Sequence, residues 1–139
     1  MWIYVQRTGE LLLNGSLFAH GYAGWDDGDG LVEPGEGRND PGTQWVQGVG
    51  PIPVGRYRIG LPFNHPTAGP MTLRLEPMPG TDMHGRSGML IHGDNANRSA
   101  SHGYIILPLP VRREIALRVL DGNSTLEVVA EAPPTTEGL

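Results

Sequence analysis

The chain has 139 residues and no cysteine: the length suits one domain, and the composition excludes disulfides, thiolate metal sites and a cysteine nucleophile. Gly 21 and Pro 13 fill about a quarter of it, roughly twice the usual share, and only 18% is charged, which favours short strands, turns and long ordered loops over a helical bundle or a disordered chain. The net charge is −5, all ten cations are arginines and none form a long basic run, so the chain is not expected to bind a nucleic-acid polymer.

Residues 2–7 are rich in β-formers and read as a strand. Residues 10–13 and 16–20 read as two more, joined by Asn14-Gly15, whose residue types suit the positive φ angles of a tight hairpin. The Gly/Asp-rich segment 21–50 is longer than an ordinary connection. Its Asp26, Asp27 and Asp29 suggest calcium, but no Glu stands at the twelfth position of an EF-hand loop, so a solvated loop is expected. Pro51 and Pro53 hold an extended approach to a strand at 56–59, with a turn at Gly55. Residues 71–76 alternate, with Met71, Leu73 and Leu75 facing in and Thr72, Arg74 and Glu76 facing out. Short apolar strands follow at 88–92 and 104–107. Val111, Ile115 and Val119 recur every four residues and predict a helix near 111–120, with Leu117 off its face and Asp121-Gly122 as its stop. Residues 125–130 make a last strand. The expected organisation is a single domain over 1–131 with a flexible tail at 132–139, in a mainly β fold with a small twisted, barrel-like sheet and one short helix.

The chemistry-bearing stretch runs from Ile91 to Leu107. His92 and Asp94 are two apart, so an extended backbone would turn both to one side. Ser101-His102-Gly103 leads into the next strand, and Gly93 and Gly103 permit close backbone approach. A histidine at a strand end beside a loop of small residues suits acid–base work, and equally suits a structural tie.

This stretch resembles the L,D-transpeptidase (YkuD-like) signature, in which a strand-borne His-Gly is followed by Ser-x-Gly-Cys and an apolar strand. More narrowly, residues 2–130 resemble compact type VI-secreted L,D-transpeptidase/carboxypeptidase effector domains. The pieces that carry the likeness are Gly21-Tyr22-Ala23-Gly24, Asn39-Asp40-Pro41, Gly48 to Pro53 with Gly55, Tyr57 and Ile59-Gly60, Gly85-Arg86-Ser87-Gly88, Ile91 to Asp94, and Ser99 to Gly103 with Ile105 to Leu107. In that family a cysteine thiolate attacks a peptidoglycan stem peptide and releases its terminal D-alanine. The resemblance implies His92 as base, Gly103 in the oxyanion loop, Ser101 as the residue holding loop and imidazole, and His102 as an exposed variable position. Tyr104 stands where the family has its cysteine. A phenol ionises near pH 10 and its oxygen lies beyond the reach of a thiol, so loss of the chemistry is expected, with the Tyr104 hydroxyl bonding His92 or a ligand.

Asp94, Arg86, Arg98, Ser99, Trp25 and Trp45 are the candidate ligand-binding residues, the two arginines as forks for carboxylate or phosphate and the tryptophans as walls of a groove. The histidines fall in no established zinc spacing, so neither metal nor cofactor is expected. Three functions stay open: a binding domain without catalysis, holding a peptidoglycan stem peptide or another small anion, in the second case as a phage or mobile-element sponge or regulator; a working peptidoglycan hydrolase with a non-cysteine nucleophile; and a decoy that engages a protein partner. No signal peptide or membrane span is read at Met1 to Arg7 or elsewhere, so synthesis in the cytoplasm is expected, with signal-less export to the periplasm left open.

Overall fold

The computed structural model describes residues 1–29, 31, 33–97 and 99–133. The first three strands are β1 (Trp2–Val5), β2 (Glu10–Leu13) and β3 (Ser16–His20), and β4 (Tyr22–Ala23) follows at once. Asn14 and Gly15 take φ of 50° and 87°, the left-handed pair that a two-residue hairpin turn requires. A 3₁₀ turn at Pro41–Thr43 follows, capped by Asp40, whose carboxylate accepts from Gly42 N–H at 2.9 Å. Then come β5 (Gly55–Ile59), β6 (Phe63–His65), β7 (Gly69–Pro77), β8 (Leu90–His92), β9 (Ile105–Ile106), helix α1 (Leu109–Leu120) and β10 (Thr125–Val129).

The fold is mainly β, and the sheet path runs β3-β2-β1-β10-β5-β7-β8-β9-β4 with β6 beside β7; it is not closed. β1 with β10 and β8 with β9 are parallel, and the remaining pairs are antiparallel. The last strand therefore lies between the first strand and β5. Trp2, Tyr4, Tyr57, Leu73, Ile91, Ile105, Leu126 and Val128 are sealed in the core, and Ile115 of α1 joins them. Burial of such side chains contributes about 1.5–3 kcal/mol each relative to exposure.

The helix begins two residues before the predicted start, because Pro110 sits in its first turn, where a missing N–H costs no intrahelical bond. Ile115 is buried, Val111 and Val119 are partly buried, and Leu117 is 59% exposed, in keeping with the four-residue spacing. Thr72 corrects the expected alternation of 71–76: it is buried, not outward. Met71 takes φ +54°, which breaks the pleat within β7, and Thr72 Oγ1 donates to Gly69 O at 2.8 Å. Asp26 is likewise not solvated but fully buried, paired at 2.9 Å with Arg38, while Asp27 and Asp29 are exposed. The predicted tail falls largely on residues 134–139, outside the described residues. Among the described residues no helix is long and apolar enough to cross a membrane.

Candidate functional site

β8 and β9 run side by side with Ile91 opposite Ile105 and His92 opposite Ile106. This register brings the residue before β9, Tyr104, to His92. The two rings meet edge to face, centroids 5.5 Å apart and planes at 74°. His92 Nδ1 lies 2.8 Å from Gly93 O. A carbonyl only accepts, so the neutral ring carries its proton on Nδ1 and leaves the lone pair on Nε2. Burial pushes the His92 pKa down and the nearby charges of Arg112 and His65 act the same way; the hydrogen bond to Gly93 and the Asp94 charge oppose them. The balance favours the neutral ring.

Ser101 is fully buried, and its hydroxyl knits two backbone segments together, at Gly24 and at Gly103-Tyr104. Oγ accepts from Gly24 N–H at 3.0 Å and Gly103 N–H at 3.1 Å and donates to Tyr104 O at 2.5 Å. It holds the loop, as expected, but not the imidazole, which is held by Gly93. The Gly103 N–H is thereby committed to Ser101 and not turned toward a reacting oxygen. Gly103 has φ +126°, and a Cβ there would stand 2.1 Å from Arg86 Nη2, so only glycine fits. The Tyr104 hydroxyl makes no hydrogen bond to His92; the rings meet edge to face instead.

Asp94 is exposed and engaged elsewhere than at His92. Its Oδ1 accepts from Tyr22 OH at 2.5 Å and Asn95 N–H at 2.9 Å. Tyr22 OH in turn accepts from Ala100 N–H at 3.1 Å, so one phenol straps the two ends of the 94–100 loop to β4. The Arg38 guanidinium lies 3.8 Å over the Tyr22 ring. Tyr22 stands inside the Gly21 to Gly24 piece of the resemblance, while nothing local in the sequence marks Arg38.

Arg86 is buried, neither a surface cation nor a free fork. Nη1 donates to Gln44 O at 2.7 Å and Pro51 O at 2.9 Å, and Nη2 to Gly50 O at 3.0 Å and His102 O at 3.4 Å. Its terminal nitrogens lock the 44–51 turn to the loop before β9. Beside it a pocket of about 130 Å³ is lined by Gly48, Arg86, Met89, His102 and Tyr104. Ser99 accepts from Asn95 Nδ2 at 3.2 Å and lies with Asn97 and Asp29 on an open depression. Trp25 is half-buried, and Trp45 is 57% exposed with its ring 6.4 Å from that of His84; neither lines the Tyr104 pocket. Arg98 lies outside the described residues.

Asp27, Asp29, Glu33 and Glu36 bring carboxylate oxygens within 4.8 Å of one another. The hydrogen bond with Asp29 and the charges of Asp29, Asp27 and Glu36 push Glu33 up to about 7. This group excludes Asp26, the first of the three aspartates that suggested calcium.

No protein-family model, curated protein or solved structure matches the chain.

Proposed function

We propose that this is a non-catalytic binding domain on an L,D-transpeptidase-like scaffold, holding the end of a peptidoglycan stem peptide or another small anion beside His92. The observation that carries this reading is the Tyr104 ring packed against the His92 imidazole, at the position where the resemblance calls for a thiol, in a chain without cysteine. Two further contacts support it. The Ser101 hydroxyl is buried and already makes three hydrogen bonds, so it is not free to attack a carbonyl. The Gly103 N–H, the oxyanion donor implied by the resemblance, is bonded to Ser101. The pocket of about 130 Å³ beside Tyr104 is below the roughly 300–1,000 Å³ of most ligand sites, and suits a terminal group more than a whole ligand. Such a domain sequesters or senses its ligand without consuming it.

A hydrolytic reading has one observation in its favour, the neutral His92 ring with a lone pair on Nε2, which could activate water. Calorimetry and mass spectrometry on one mixture of protein and tetrapeptide muropeptide separate the two. Heat of binding with unchanged muropeptide mass is the expected result. Absence of binding by muropeptides and by nucleotide-like anions rejects the binding domain, and D-alanine release at an ordinary enzymatic pace replaces it with the hydrolase. Regained D-alanine release in Tyr104→Cys would support the descent from a thiol enzyme.

A further inference from the structure

A hollow of about 770 Å³ opens between β4, the Gly93-Asp94 segment and the junction of β9 with α1. It shares no lining residue with the small pocket at Tyr104, and its volume falls in the range of small-molecule sites. Its most telling residue is Arg112, on the first turns of α1 and only 7% exposed. A buried guanidinium is costly unless its charge is met. Arg112 Nε donates to Leu107 O at 3.0 Å, and Nη1 to Pro70 O at 2.8 Å and Met71 O at 3.1 Å. These carbonyls hold the plane of the fork but bring no negative charge. Among the described residues no carboxylate pairs with Arg112, and no hydrogen bond uses its Nη2.

That unused nitrogen lies against Gly93, where a Cβ would come within 2.7 Å of it, and Gly93 and Arg112 are both on the hollow's wall. Asn39 lines the same space; its Oδ1 accepts from Ala23 N–H at 3.3 Å, which leaves its NH₂ group as a second donor. Asp94 is the one carboxylate among the lining residues, and its Oδ1 is held at the exposed rim by Tyr22 OH. Pro108 and Leu109 give the wall an apolar stretch next to the donors.

We propose that this hollow binds a small organic carboxylate, with an anionic oxygen on Arg112 Nη2 and the apolar body of the ligand against Pro108 and Leu109. A phosphate dianion is better served by a cluster of cationic and backbone donors. The second guanidinium on the lining, Arg38, already has the buried Asp26 carboxylate at 2.9 Å, so the Arg112 nitrogen beside the apolar wall fits a carboxylate attached to a hydrocarbon group. Arg112 then gains the counter-charge that the fold does not supply.

The test is an amide NMR titration of the full chain with three probes: N-acetyl-leucine, its uncharged C-terminal amide, and inorganic phosphate. N-acetyl-leucine is expected to move the Gly93, Asp94 and Leu109 resonances in a saturable way, and the amide to bind at least tenfold more weakly. Equal binding of acid and amide, no saturable shift with N-acetyl-leucine, or tighter binding of phosphate than of N-acetyl-leucine would each overturn the assignment. Arg112→Gln removes the donor, and with it three ties to backbone carbonyls. Gly93→Ala is the second variant: it keeps the charge and displaces only the tip of the guanidinium. It is expected to weaken N-acetyl-leucine about tenfold, and unchanged affinity in a folded Gly93→Ala protein would reject Arg112 Nη2 as the anion's partner.

Discussion

Gly103 and Arg86 share a space that holds one of two things: the guanidinium of the arginine or a Cβ on the glycine. The built Cβ would stand 2.1 Å from Arg86 Nη2 and 3.1 Å from Gly50 O, on a residue already at φ +126°. Gly103→Ala thus adds steric displacement of a buried hydrogen-bonded cation to backbone strain, and is expected to cost about 2–4 kcal/mol in urea unfolding. Gly15→Ala is the control: its φ is +87° but nothing stands within 4 Å of the new Cβ, so about 1 kcal/mol of conformational cost is expected. Equal losses at the two positions would remove the steric part of the account.

Arg86 itself spans three separate carbonyls at 2.7–3.0 Å, from Gln44, Pro51 and Gly50. A lysine places one compact ammonium where a planar fork reaches several acceptors. Arg86→Lys is therefore expected to destabilise by about 2–4 kcal/mol, since buried carbonyls lose their donors. A loss below about 0.5 kcal/mol, the scale of an ordinary surface change, would show that the fork is dispensable.

Tyr22 ties the two ends of the 94–100 loop through one oxygen, donating to Asp94 and accepting from Ala100. Tyr22→Phe keeps the ring under Arg38 and removes both bonds. A stability loss of about 1–2 kcal/mol is expected, with amide exchange at Ala100 at least tenfold faster. Undiminished protection at Ala100 would mean the loop is held by other contacts.

The His92 ring makes folding sensitive to acid. Its folded pKa lies below the ordinary histidine value of about 6.5, mainly because burial penalises the charged ring. On acidification the unfolded chain takes up this proton first. The stability that His92 confers is whole above about pH 6.5 and is lost as pH falls from there through the folded pKa, at no more than about 1.4 kcal/mol per pH unit. Unfolding free energies of the wild-type and His92→Gln proteins, compared at about pH 7.5, 6.5 and 5.5, read this difference. The wild type should decline more steeply; parallel curves would mean that the ring is freely solvated.

Local rules made much of the architecture legible. Asn14-Gly15 announces its hairpin because few residue types accept two successive positive φ angles. His92 is found at a strand end because an apolar run stops there, and α1 follows from its four-residue spacing. What stayed hidden depends on distant partners. Arginine is exposed in most proteins, so nothing local tells that Arg86 is consumed by the 44–51 turn or that Arg112 is buried on the wall of a hollow. Asp26 looks like its exposed neighbours Asp27 and Asp29 until Arg38, twelve residues on, is placed against it. Thr72 reads as outward until Met71 leaves the pleat at φ +54°. The site was legible as a neighbourhood, through His92, Ser101 and Tyr104, while the bonds that commit Ser101, Gly103 and Asp94 required the fold.

The parallel pairing of β1 with β10 governs how the chain acquires its shape. Trp2 lies opposite Leu126 and Val5 opposite Val129, so a strand from the start of the chain waits for one from near its end. A ribosome-bound nascent chain lacking residues 125–129 leaves an edge of β1 and an edge of β5 both without their neighbour, since β10 fills the place between them. Such pairing at great sequence separation carries a large loop-closure entropy and raises contact order, which slows folding relative to locally wired proteins of the same size. The sheet is completed late in synthesis, and premature termination before β10 leaves β1 and β5 without the strand that lies between them.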